Sequence, residues 1–136
     1  MKKNTRLPIM QLLVVGLFCV LFALPQKSYA GAQINYKTKE VNIHDGYCEV
    51  VGYFTNSGDM AAEITKSEVT VTISDQNGNT LYTVVQSFNM YELYVWGGAP
   101  QHTFVLYDSR FKTPNARLHW TVNTYNWWNN VRPIGM

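Results

Sequence analysis

Glu68-Val69-Thr70-Val71-Thr72-Ile73-Ser74, followed directly by Asp75-Gln76-Asn77-Gly78-Asn79, is the stretch that decides the fold. Val69, Val71 and Ile73 alternate with polar residues. Successive side chains of an extended chain point to opposite faces, so the pattern predicts an antiparallel strand with one buried face. Asn77-Gly78 can take the positive φ angles of a type I′ turn, which makes a hairpin the expected continuation, with its second strand starting near Thr80. Leu81 to Phe88 is rich in Thr, Val and aromatic residues and suits that role.

The same scheme is written upstream, where Gln33 to His44 meets Asp45-Gly46 and then Tyr47 to Thr55. Asn56-Ser57-Gly58-Asp59 closes this hairpin with residues that bond their own backbone or accept a left-handed conformation. Residues 60 to 66 lead back into the sheet. Asn89 to Trp96 is aromatic and fits no period cleanly, and Gly97-Gly98-Ala99-Pro100 marks a loop. Thr103 to Tyr107 and Arg117 to Tyr125 are the last two expected strands. Leu118, Trp120 and Val122 share one face of the second, and with Val69, Val71 and Ile73 they are expected to make two facing layers of one core. Six to seven short strands between turn signals predict an all-β chain, an antiparallel β-sandwich of immunoglobulin-like type, with a barrel as the competitor.

The first thirty residues read differently. Lys2, Lys3 and Arg6 precede an apolar run from Leu12 to Leu24, and Ser28-Tyr29-Ala30 places small residues where a signal peptidase requires them. Residues 1–30 are therefore expected to be a signal peptide cleaved between Ala30 and Gly31. The expected product, residues 31–136, is a single domain that is secreted or periplasmic, with no stable membrane anchor. Four of the eleven basic residues lie in the leader and none of the nine acidic ones does, so this product carries seven bases against nine acids, a formal charge of −2 rather than +2. The remaining cations are scattered, and nucleic-acid binding loses its electrostatic footprint. Cys19 falls in the leader, preceded by Phe18 where a lipoprotein peptidase takes a small residue. Cys48 is left without a partner and reads as a small buried hydrophobe on a strand.

Val50 to Asp59, with its Asn-containing turn, and Val69 to Gly78, with its Asp-x-x-Gly turn, resemble the FxLYD-type and related immunoglobulin-like domains of bacterial exported proteins. The likeness covers roughly residues 47 to 108. The literal string Phe104-Val105-Leu106-Tyr107-Asp108 lies in the late strand, whereas the family's motif precedes the Asp-x-x-Gly turn. The resemblance implies a fold and an extracytoplasmic setting rather than a reaction. Proteinase-inhibitor domains that share this sandwich are similar in the same turns, and they imply a protruding loop, for which Trp96 to His102 is the candidate.

Catalytic and metal signals are sparse. Asp75-x-Asn77-Gly78-Asn79 resembles the start of a calcium loop but lacks its twelfth-position Glu, so a plain turn is expected. His44, His102 and His119 form no close pair of the kind metal sites use. Cys48 with a histidine could make a nucleophile pair, and Glu49, Glu63, Glu68, Glu92 and the aspartates could supply paired carboxylates. Aromatic residues exceed what a bland domain needs: Tyr91, Tyr94 and Trp96, and then Tyr125, Trp127 and Trp128 among Asn123, Asn126, Asn129 and Asn130. Flat rings beside amides suit sugar rings or a protein hot spot. These six aromatics are the expected binding residues. The reading is a small exported, non-catalytic binding or structural-interaction module, without cofactor or metal, whose partner is an extracytoplasmic protein or a cell-wall glycan. The alternatives are a protease inhibitor, an extracytoplasmic hydrolase, and a free-standing carbohydrate-binding module.

Overall fold

The computed structural model describes residues 30–114 and 117–135, so the expected signal peptide lies outside the described residues except for Ala30. Six strands follow in order: β1 (Ile34–His44), β2 (Tyr47–Asn56), β3 (Met60–Ser74), β4 (Thr80–Val95), β5 (Gln101–Tyr107) and β6 (His119–Pro133). They form two three-stranded antiparallel sheets, β1-β2-β5 and β4-β3-β6, and no helix occurs among the described residues. The chain is all-β. No ladder joins the two sheets among the described residues, so the arrangement is sandwich-like rather than a closed barrel.

The alternation read in residues 68–74 holds through the centre of its sheet. Val69, Val71 and Ile73 are fully buried, while Thr70, Thr72 and Ser74 face outward. The opposing layer comes from β2 and β5, with Cys48, Val50, Phe54, Phe104 and Leu106 inside. Aromatic contacts join the layers: the Phe88 and Phe104 rings are 5.0 Å apart, and Tyr82 meets Phe111 edge-on at 5.8 Å. Phe111 belongs to the segment after β5, yet it is fully buried, and its carbonyl accepts the Gly46 N–H at the β1–β2 turn (2.9 Å). Ser67 is the buried polar residue of this core, and its hydroxyl donates to Asn126 Oδ1 at 2.7 Å.

Four local expectations are corrected. First, the type I′ turn does not form. Gly78 and Gly46 have φ of +81° and +88°, but neither Asn77 nor Asp45 has a positive φ. The Asp75 carboxylate is the reason, since Oδ1 accepts the N–H groups of Asn77 and Asn79, each at 2.9 Å, and so keeps Asn77 in an ordinary turn that only Gly78 exits left-handed. Second, Trp120 and Val122 do not face Ile73 and Val71 across the core. They sit beside them in the same sheet, paired Ile73 with Trp120 and Val71 with Val122, and Trp120 at the sheet edge remains 39% exposed. Third, β6 does not end at Tyr125 but continues eight residues further, to Pro133. Fourth, residues 60–66 and 89–95 are parts of β3 and β4 rather than approaches to them.

One close approach fixes the first sheet. Gly52 lies under the Tyr36 ring, and a Cβ at this position would run into the Lys37 carbonyl oxygen. Tyr36 reaches across it to donate to the His102 carbonyl at 2.6 Å, with the Val50 carbonyl at 3.1 Å. Phe54 and Phe104 pack edge-on against the same ring, each at 5.0 Å. Burial pushes the Tyr36 hydroxyl far above its usual range. Since Phe104 is enclosed and Trp120 is marginal, Phe104→Ala should cost about 3–5 kcal/mol. Trp120→Ala should cost less than half as much. Urea unfolding of the two variants checks this, and equal losses would contradict the register.

Candidate functional site

The outer face of β4-β3-β6 gathers most of the aromatics singled out in the sequence. Paired residues in an antiparallel ladder share a face. Thr70 and Thr72 face outward, so Asn123 and Thr121 do too, and one step further the rows are Ser87–Glu68–Tyr125 and Asn89–Lys66–Trp127. Beyond a register shift between Ile64 and Lys66 comes the row Tyr94–Glu63–Asn129. At the far end Trp96, one residue past β4, receives the Arg132 guanidinium over its ring at 4.3 Å. Ala61 lies in this last row and is fully buried although it points away from the core that holds Ala62.

The shift between Ile64 and Lys66 is a bulge on both sides. Thr65 is the extra residue against β6, and Met90, Tyr91 and Glu92 together oppose it on β4. Glu92 is left-handed there, with φ of +55°, and it is a non-glycine residue in a conformation that costs energy. The bulge buries Met90 and throws Tyr91 outward, where it is 81% exposed. From Ala61 to Glu68 the face runs roughly 23 Å, and its three strands make it about 10 Å wide.

Trp127 and Trp128 go to opposite faces because they are consecutive in a strand. Trp128, opposite Ile64, packs against the core, so of the six expected residues it leaves the exposed set. Trp127 stays outside, held edge-on by Tyr125 at 4.7 Å on one side and by the Lys66 ammonium, 4.8 Å from the ring centre, on the other. Cation and ring attract through the ring quadrupole, and both are fixed by neighbouring strands. Tyr125 keeps 64% of its surface exposed. The face therefore presents Tyr91, Tyr94, Trp96, Tyr125 and Trp127, interleaved with Glu63, Lys66, Glu68, Asn129 and Arg132.

Sequence reasoning missed the second group. Glu63, Lys66 and Glu68 read as the solvated side of a strand, and only the register shows that they stand between rings. It also missed a smaller cluster on the outer face of β1-β2-β5, where His44 stacks on Tyr47 at 4.5 Å and Tyr47 approaches Tyr107 at 6.2 Å. His44 Nε2 lies 3.5 Å from Glu49 Oε2 in this cluster.

The other candidate groups do not converge. Cys48 is fully buried, and burial, with Glu49 adding to it, pushes its thiol up to about 11, the reverse of what activates a nucleophile. Glu63 and Glu68 share a face but lie roughly 15 Å apart along β3, and Glu49 is on the other sheet. Among the described residues no three His, Cys, Asp or Glu side chains come together as metal ligands would. Asp75 spends its oxygens on its own turn, and the Asn79 N–H holds its carboxyl below the usual range. The exposed part of the Trp96 to His102 segment is Trp96, Gly97-Gly98-Ala99 and Gln101, because the Pro100 carbonyl is tied to Phe54 N–H and His102 packs on Phe104 at 4.6 Å. No protein-family model, curated protein or solved structure matches this chain.

Two measurements follow from these placements. Trp128→Ala should cost about 2 kcal/mol or more and Trp127→Ala no more than about 1 kcal/mol, the difference between a ring packed on the core and one outside it. Thermal or denaturant unfolding compares them directly. His102 is held below its ordinary pKa of 6.5 by burial. The unfolded chain then binds the proton more readily, so the stabilising contribution of neutral His102 is complete above about pH 6.5 and is lost as the pH falls toward the folded value. Stability should drop from pH 7 to pH 5 in the native sequence by more than in His102→Gln, and NMR titration should place this imidazole below the free value.

Proposed function

We propose that this chain is an exported, non-catalytic binding module whose recognition surface is the outer face of β4-β3-β6, and that its ligand is an extended cell-wall glycan. The observation that carries the reading is the interleaving: four of the five outward rings have a charged cross-strand neighbour. Trp127 has Lys66, Tyr125 has Glu68, Tyr94 has Glu63, and Trp96 has Arg132. A sugar ring packs its C–H groups on an aromatic face and offers hydroxyls to carboxylates, amides and cations around it. A protein interface concentrates its rings in a core depleted of Lys, Glu and Asp, which is the opposite arrangement. A length of roughly 23 Å accommodates a linear polymer rather than a single small molecule.

Export is supported by the leader sequence and by the change at its end, where Ala30 is exposed and Gly31 is buried. The order β1-β2-β5 and β4-β3-β6 supports assigning the domain to the immunoglobulin-like class. Its Asn turn and Asp-x-x-Gly turn, the features shared with FxLYD-type domains, form the β2–β3 corner and the β3–β4 hairpin. An inhibitor reading is less well served, since the loop tip Gly97-Gly98-Ala99 offers no side chain larger than methyl and the Trp96 ring is covered by the Arg132 guanidinium.

The test is retention of the exported chain on purified, protein-free host cell wall. Tyr125→Ala and Lys66→Ala should each lower retention about tenfold, with stability changed by no more than about 1 kcal/mol. Soluble wall glycan fragments should compete. Retention that survives both substitutions, or that occurs only on walls still carrying protein, would overturn the glycan assignment.

A further inference from the structure

We propose that Asp59 is a built receptor for the α-ammonium group that cleavage between Ala30 and Gly31 creates, so that processing of the leader completes the fold. This rests on the export reading, but its geometry stands on its own. The Gly31 N–H donates to Asp59 Oδ1 at 3.0 Å, and Asp59 Oδ2 lies 3.0 Å from the nitrogen of Ala30, the residue that cleavage removes. Hydrolysis of the Ala30–Gly31 bond by a signal peptidase consumes one water, leaves a carboxylate on Ala30 and frees an amine on Gly31, which takes up a proton near neutral pH. The new group has three donors where the amide had one. In the processed chain it sits against a carboxylate whose second oxygen no longer has the Ala30 N–H to accept from.

The surroundings are shaped for this end of the chain. Gly31 is buried, and its carbonyl accepts the Asp59 N–H at 3.2 Å. The Ala32 N–H donates to Asn130 Oδ1 at 2.9 Å and the Gln33 N–H to Asn56 Oδ1 at 3.1 Å, while the Gln33 carbonyl accepts from Ser57 N–H at 3.0 Å. Every backbone group from Gly31 N to Gln33 N that these bonds involve is thus met by the corner or by β6. Gly58 makes the approach possible, because a Cβ there would collide with the Gly31 carbonyl oxygen and crowd Ala32 and Gln33. The small residues Ser28 and Ala30 mark the Ala30–Gly31 bond, at this end of the described residues, for cleavage. Because that bond is buried at one side once Asp59 is engaged, cleavage belongs before folding, during export.

Charge-assisted hydrogen bonds are stronger than neutral ones, so the free terminus should be held more tightly than the uncut amide. Among the described residues the enclosed side chains lie from Ala32 onward, so a chain released from a fusion cut immediately before Gly31 keeps that core. Its thermal midpoint should exceed that of the same chain carrying an Nα-acetyl group, and that of a chain retaining Ser28-Tyr29-Ala30, by about 4–8 °C. Asp59→Asn should lower the free-amine chain and leave the acetylated one little changed, removing the difference between them. Gly58→Ala should weaken the same difference. Equal midpoints for free and acetylated chains, or an equal loss from Asp59→Asn in both, would overturn the receptor. N-terminal sequencing of protein from an exporting host tests the export reading separately, since a terminus other than Gly31 would sink that reading whatever the melting data show.

Discussion

One amide side chain holds the place where the chain leaves the first sheet for the second. Asn56 Oδ1 accepts the N–H groups of Gln33 (3.1 Å) and Gly58 (3.0 Å), and its Nδ2 donates to the carbonyls of Met60 (2.7 Å) and Val95 (3.3 Å). An amide has two donors and two acceptor sites, and all four are in use. They join the approach to β1, the corner, the start of β3 and the end of β4. Each bond alone is worth only about 1 kcal/mol net, but removing the amide would strand partly buried backbone groups, which costs more. The register of both sheets starts from this point. Asp59, three residues on, extends the same corner to Gly31, and its carbonyl accepts the Ile134 N–H at 2.9 Å after β6 ends.

From that corner the path to the outer face is short. Val95 is held by Asn56, so Trp96 emerges beside the β3 start, where Arg132 can cover it. Tyr94 is then outward in the next row, with Glu63 beside it. The bulge at Thr65 separates these rows from the Trp127 and Tyr125 rows without reversing their parity, because Ile64 and Ser67 both remain buried on the inner side. A regular ladder with Thr65 paired would have turned Ile64 toward solvent. The bulge thus preserves the core and lets the aromatic rows continue on a single face.

The sequence was legible where one face is dry and the other wet. Val69, Val71 and Ile73 alternate with threonines because they line the central strand of a sheet whose other side is open, and no tertiary detail was needed to see it. Legibility failed at edges and interruptions. Asn126, Trp128 and Asn130 continue the inner face of β6, but asparagine has low strand propensity, and these side chains face inward because they bond to Ser67 and to the Ala32 backbone. Trp120 carries the hydrophobicity of a core residue at a sheet edge that encloses only part of it. Asp59 reads as a turn former, and its contact with residues 28 and 29 positions away cannot be deduced from local pattern. Of the aromatic face, the rings were visible in the sequence. The charges between them joined that face only through cross-strand register.

The two outer strands of the second sheet also explain why the face is irregular. β4 and β6 are 16 and 15 residues long and flank β3, so each leaves one side without a ladder among the described residues. Long flat edges invite pairing with other chains, and bulges, charges and proline blunt them. Here β4 is broken at Met90–Glu92, with a charged residue in a left-handed conformation, and β6 carries two residues, Val131 and Arg132, opposite Ala61 before it stops at Pro133. The first break is what projects Tyr91, and the second is what brings Arg132 over Trp96. Interruption of the edges and construction of the aromatic face are therefore the same local deviations from a regular ladder, and they add to the burial of Ile64 a second reason for these strands to contain bulges.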